Sequence, residues 1–242
     1  MNAHDYFAQA KLILDQAKTT QASALVSMAQ AMGDVMIDNG LIQLLGIGPD
    51  RAFAMELGYR AGGLMPYHQV NLKDLVLRGH VPAEDMKDPH FADRSDLAEP
   101  LWHLYNIQPQ DALLIYAAAN VSGVALGVAK LAKAEKRKIF FVGNIKSVTR
   151  SQNGRELIAL SDLTLDLCTP VDDTILPLEG DIMITQVANV VGNIFAQMLT
   201  AETYRYLKDK GLEAPVLLSA NVTGADVHNR KISDVYLGRW NS

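Results

Sequence analysis

The chain carries a single cysteine, Cys168, in 242 residues, so no internal disulfide framework exists. That scarcity fits a reducing compartment, and the expected location is cytoplasmic. With no His or Lys beside it in sequence, Cys168 reads as a semi-buried thiol, not a nucleophile. Long hydrophobic runs are missing as well. No stretch reaches the roughly eighteen apolar residues of a membrane span, and residues 1–10 lack the basic, apolar layout of a secretory signal, so no membrane partner is expected. Positive charge is not in excess: 22 Lys and Arg stand against 27 Asp and Glu, for a net charge of −5. A phosphate-backbone partner needs the opposite balance, which argues against nucleic acid. His80, His90 and His103 have no Cys or His partner at ligand spacing, so neither a metal site nor a cofactor is expected. A Walker loop is absent, and Arg51 fills the position where a dinucleotide fingerprint would need its third glycine.

What the chain does have is a strand feeding a helix at residues 41–64. Leu41, Ile42, Leu44 and Leu45 form a short apolar run, and Gly46 and Gly48 let the backbone turn sharply. Pro49 and Asp50 suit the start of a helix whose apolar side is Phe53, Leu57 and Leu64. The crevice beyond such a strand is where open α/β sheets take anions and small ligands, although a tight connection alone would use the same glycines.

Before this unit, apolar residues from Tyr6 to Met36 fall on three-and-four spacing and predict one long N-terminal helix, with polar Thr19, Thr20 and Gln21 as an interruption. After it, strands are expected at 64–70, 111–119, 138–142 and 163–167, with helices from 123 to about 136, at 156–162, at 182–210 and from about 223 to 235. The strand at 111–119 is continuously apolar, as a buried parallel strand should be. Residues 71–110 form an irregular, proline-punctuated insertion. An apolar content of 49% over residues 1–242 suits one α/β domain of three layers, with about five mostly parallel strands flanked by helices.

Several groups of residues carry a resemblance. They are Gly46, Gly48, Glu56 and the run Arg60-Ala61-Gly62-Gly63-Leu64, then residues 93–105, Asp111 to Ile115, Asp166 with Thr169 and Pro170, and residues 219–229 (SANVTGADVHN). In these the chain resembles stand-alone sugar isomerase (SIS) domain proteins of the phosphoheptose isomerase type, over nearly its whole length. The resemblance implies a homodimer, with the N-terminal helix over 1–40 at the interface, and a small-molecule sugar phosphate or similar anionic carbohydrate as partner. It also implies phosphosugar isomerase chemistry. Glu56 is then the candidate base and His228 the candidate acid, with a Glu56–Arg60 ion pair one helical turn apart as the structural alternative. The expected ligand-binding residues are Gly46, Gly48, Asp50, Arg51, Arg60, Ala119, Asn120, Ser122, Asn144 and Asn221.

The chain departs from that family at the phosphate loop. A Ser-Asn-Ser-Gly motif would fall on Ala117, Ala118, Ala119 and Asn120, so both hydroxyls are missing, and Asp50 stands where the family often has a serine. At roughly 1.5 to 3 kcal/mol for each contact to a charged group, the loss weakens phosphate binding by about two to four powers of ten. Arg51, Arg60 and Lys146 could compensate or could be structural charges. The alternative function is a non-catalytic carbohydrate-binding or regulatory SIS protein with a degenerate phosphate site.

Overall fold

The computed structural model describes residues 2–239. A capping box opens α1 (Ala3–Thr20): the Asn2 side chain accepts from His4 N and Asp5 N, and Asp5 Oδ2 accepts from Asn2 N. The single long helix expected here is in fact two. α1 stops at Gln21 and α2 (Ala22–Ile37) follows, with Gln21 Oε1 held by Asp166 N at 3.0 Å. α2 buries Leu25, Met28, Met32 and Met36, whereas α1 buries only Ala10 and Ala17.

The chain then runs through β1 (Ile42–Gly46), α3 (Arg51–Leu57), β2 (Tyr67–Val70), α4 (Asp74–Leu77), α5 (Ala98–Leu104) and β3 (Ala112–Ala117). It continues with α6 (Gly123–Ala134), β4 (Lys138–Gly143), α7 (Ile145–Val148), α8 (Gln152–Leu160) and β5 (Leu163–Asp166). These five strands form one parallel sheet in the order β2-β1-β3-β4-β5. Alternation along the strands sends Leu44, Leu114, Tyr116 and Phe140 to the face covered by α2, α3 and α9 (Ala188–Asp209), and Leu45, Leu113, Ile115 and Phe141 to the face covered by α5, α6 and α8. The result is the expected helix–sheet–helix sandwich.

α8 begins at Gln152, four residues before the expected start, and three further boundaries differ from expectation. The second strand begins at Tyr67, because Leu64 instead makes an isolated antiparallel bridge to Val216. α3 ends at Leu57, so Leu64 is not on its apolar side. The helix expected from Ile182 begins at Ala188; Met183–Gln186 is a strand, β7, paired antiparallel with β6 (Thr174–Pro177). A last helix, α10 (Ala225–Asp234), follows α9.

Polar groups organise the N-terminal ends of the strands. Asp111 is 2% exposed and accepts from Leu41 N at 2.8 Å, Gln43 Nε2 at 3.0 Å and Arg239 Nη2 at 2.5 Å. Gln43 thus gives its amide nitrogen to Asp111, so its Oε1, 2.9 Å from His68 Nδ1, must accept and that ring nitrogen must carry the proton. Burial, with a smaller push from Arg239, drives the His68 imidazole down to about 4. No helix among the described residues is long and apolar enough to cross a membrane.

Candidate functional site

The site is built at the C-terminal ends of β1, β3 and β4. The chain folds back so tightly after β1 that a Cβ on Gly46 would lie 2.3 Å from the Asp50 carbonyl oxygen, and Gly48 has φ +62°. Contact excludes a side chain at Gly46, and the left-handed backbone at Gly48 favours glycine. The turn carries Asp50 across to β3, where its Oδ2 accepts from Ala118 N at 3.3 Å. Asp50 is therefore not a cap of its own helix. Burial pushes its carboxyl up to about 7; the Ala118 N–H opposes that shift and the nearby Asp173 carboxylate adds to it.

A cleft of about 630 Å³ opens over these strand ends. From β1 it receives Pro49 and Asp50, from β3 Ala118, Ala119 and Asn120, and from the turn after β4 Ser147 and Arg150. Asp172 and Asp173 enter from the segment after β5, Gln186 from β7 and Asn189 from the first turn of α9. Asp173 is 7% exposed, with φ +62°, and its Oδ1 accepts from Val187 N at 3.1 Å and Ala188 N at 2.6 Å. Its carboxyl is raised by burial, against those two N–H groups. Arg150 is mostly exposed and faces Asp172 at 3.7 Å. A recess of about 110 Å³ adjoins the cleft, with Asp50, Asp93, Asn120 and Ser122 on its walls.

Of the residues singled out from sequence, Gly46 and Gly48 shape the turn, while Asp50, Ala119, Asn120 and Ser122 meet in the cleft and its recess. Ser122 also caps α6, accepting from Ala125 N at 3.2 Å. Asn144 lies behind the cleft: its Nδ2 donates to Thr169 Oγ1 at 2.9 Å and Pro170 O at 2.7 Å, and its Oδ1 accepts from Ser147 N at 3.1 Å. It holds two cleft-forming turns together. Arg51 starts α3 outside the cleft lining, with a buried Nε that has no partner among the described residues.

Glu56 and Arg60 are not cleft residues within one chain. Glu56 Oε2 pairs with Arg60 Nη1 at 2.5 Å, and Glu56 Oε1 accepts from Gln197 Nε2 at 2.6 Å. His228 and Asn221 lie near the opposite end of the sheet. His228 Nε2 donates to Val216 O at 2.9 Å beside the Leu64 bridge, and Asn221 is exposed. Ser147, Arg150, Asp172, Asp173 and Asn189 were missed. The one signal available for them was the Asp172-Asp173 pair just beyond Thr169-Pro170.

A second hollow, of about 680 Å³, lies along edge strand β2 and is lined by His68, Tyr105 and Tyr236. Its polar groups serve the fold: the Tyr105 hydroxyl donates to Asp74 and accepts from Asn71 N at 2.8 Å, and His68 serves Gln43.

Comparison with known proteins agrees with this architecture. The sequence model of the SIS domain matches residues 5–142. A UPF0309 protein of Geobacillus thermodenitrificans is 30% identical over 240 residues, covering 95% of this chain and 91% of the relative. One from Geobacillus kaustophilus is 24% identical over 241 residues, covering 98% and 94%. Among solved structures, phosphoheptose isomerase from Neisseria gonorrhoeae superposes with a TM-score of 0.52 at 16% identity, over 84% of this chain and 95% of that one. The phosphoheptose isomerase from Francisella tularensis gives 0.52 at 15%, over 85% and 100%. At such identities the structures speak for the fold alone. The match of the SIS model to more than half of the sequence, from α1 into β4, makes this chain a member of the SIS domain family.

Proposed function

We propose that the cleft at the C-terminal ends of β1, β3 and β4 binds a carbohydrate derivative, of which sugar phosphates are the family's familiar kind, and that the chain acts as a binding module. The observation that carries this reading is the separation of parts. Polar groups from six segments converge on the cleft, whereas the two acid–base candidates of an isomerase do not. Moving a proton between adjacent carbons requires a base and an acid within hydrogen-bond reach of the substrate. Glu56 is spoken for by Arg60 and Gln197 within its own chain.

The second reading, a phosphosugar isomerase, is favoured by the surface around Glu56. Met55 and Tyr59 beside it are 56% and 66% exposed, and a second copy seated there could carry its own His228 toward Glu56. The first experiment is a melting-temperature screen against hexose, heptose and amino-sugar phosphates beside their unphosphorylated sugars, followed by an isomerase assay on whichever binds. Binding without turnover supports the binding module. Turnover that Glu56→Gln abolishes in a folded protein would install the isomerase instead. We also propose a homodimer that uses α1, whose Phe7 and Leu12 are 71% and 63% exposed.

A further inference from the structure

The turn between β3 and α6 is where the family resemblance would put a phosphate, and two of its N–H donors already serve the protein's own oxygens. Ala118 N donates to Asp50 Oδ2 at 3.3 Å, and Ala125 N donates to Ser122 Oγ at 3.2 Å. The Asp93 carbonyl oxygen presses against Gly123 so closely that a Cβ there would sit 2.1 Å from it. An incoming phosphate would have to displace Asp50 from Ala118 and then stand beside Asp172 and Asp173, with Arg150 as the one cation of the lining, itself facing Asp172.

A separate observation says what the cleft lacks. Asn189 donates its Nδ2 to Pro49 O at 3.4 Å, which turns its amide oxygen the other way. That oxygen is buried and has no hydrogen-bond partner among the described residues. An unpaired buried acceptor asks for a donor, and so does a carboxylate with one long hydrogen bond. Asp50 and Asn189 are both in the lining of the cleft. A protonated amine offers three donors and a positive charge, and would meet the Asp50 carboxylate in a lining that also holds Asp172 and Asp173.

We propose that Asp50 takes the place of a ligand's anionic group in the β3–α6 turn, and that the cleft selects a carbohydrate bearing a protonated amine, an amino sugar, over one presenting a phosphate at this end. The proposal rests on the carbohydrate-binding reading above. Asp173 has its Oδ1 committed to two backbone N–H groups, so Asp50 is the selecting side chain.

The test uses the full chain at pH 7.5, where Asp50 is mostly ionised and the amine of an amino sugar is still largely protonated. Glucosamine, glucose, glucosamine 6-phosphate and inorganic phosphate are titrated by calorimetry into the wild type and into Asp50→Ser and Asp50→Asn, with near-ultraviolet circular dichroism to verify folding. The expected result is glucosamine binding at least tenfold tighter than glucose in the wild type, with no measurable inorganic phosphate binding. Asp50→Ser should lose the amine preference and gain at least tenfold in phosphate affinity, and Asp50→Asn should lose the preference alone. Wild-type protein that binds inorganic phosphate as tightly as Asp50→Ser does would overturn the proposal and leave carbohydrate binding standing. Failure of every sugar in all three folded proteins would instead overturn the carbohydrate reading. Inorganic phosphate, which needs no sugar subsite, still judges Asp50 separately: a gain in Asp50→Ser supports its anion-mimicking role, and no gain defeats it.

Discussion

Asp50 is where sequence, fold and chemistry meet in one side chain. Its folded-state carboxyl titrates near 7 against an ordinary value of 3.8, with burial as the first cause and Asp173 as a further one. Between those two values the folded protein holds a proton that the unfolded chain has released, so this group makes stability fall as pH rises from about 4 to 7. Above pH 7 the full cost applies. A shift of about three units corresponds to roughly 4 kcal/mol at most, before relaxation around the ionised form. Asp50→Asn, which keeps an acceptor for Ala118 N, should therefore raise the melting temperature by about 5 °C or more at pH 8, and by much less at pH 4. An equal gain at both pH values would show that Asp50 is not a buried, reluctant carboxylate.

At the scale of elements, α9 depends on a residue from outside it. Val187, at its N-cap position, makes no side-chain cap, and the first donors of the helix are taken by Asp173, which reaches back from the segment before β6. Asp173→Ala should cost about 0.5–2 kcal/mol, as loss of a capping side chain does, measured by urea unfolding at pH 8. It should also loosen the cleft wall that Asn189 forms, seen as faster amide exchange in the first turn of α9.

This cap explains what could and could not be read in the sequence. β3 and β4 were legible because their apolar runs are local, and Gly46, Gly48, Asp50 and Asn120 because a glycine turn and a helix start announce themselves. The β6–β7 hairpin was hidden inside an expected helix because the signal that starts α9 at Ala188 lies at Asp173, 15 residues earlier. Gln21 breaks the N-terminal helix through a contact to Asp166, 145 residues away. Ser147, Arg150 and Asn189 have the same character: each is unremarkable in sequence and becomes a wall of the cleft only when the sheet brings three loops together.

At the scale of the whole molecule, α1 is the least buried of the long helices. Its Tyr6 hydroxyl donates to Gln186 O at 2.9 Å, which ties it to the cleft wall, while Phe7 and Leu12 face outward. Burying each of the two against a second copy would contribute about 1.5–3 kcal/mol. Light scattering after size exclusion should give twice the chain mass for the wild type and one chain mass for the double variant Phe7→Glu, Leu12→Glu. A wild-type monomer at micromolar concentration would dismiss α1 as the interface.

The pairing of Asp111 with Arg239 has a consequence for how the protein is born. Asp111 has 0% of its side chain exposed, and its guanidinium partner lies 128 residues further along. A ribosome adding about 5–20 residues per second makes that cation at least several seconds after the anion. Through that interval β1 and β3 can be drawn together only around a carboxylate that lacks its counter-charge. A buried charge without its partner is costly, so closing this end of the sheet before Arg239 is made would carry that cost, eased only by Leu41 N and Gln43 Nε2. Closure of this end of the sheet is therefore expected to be favoured once Arg239 has been made.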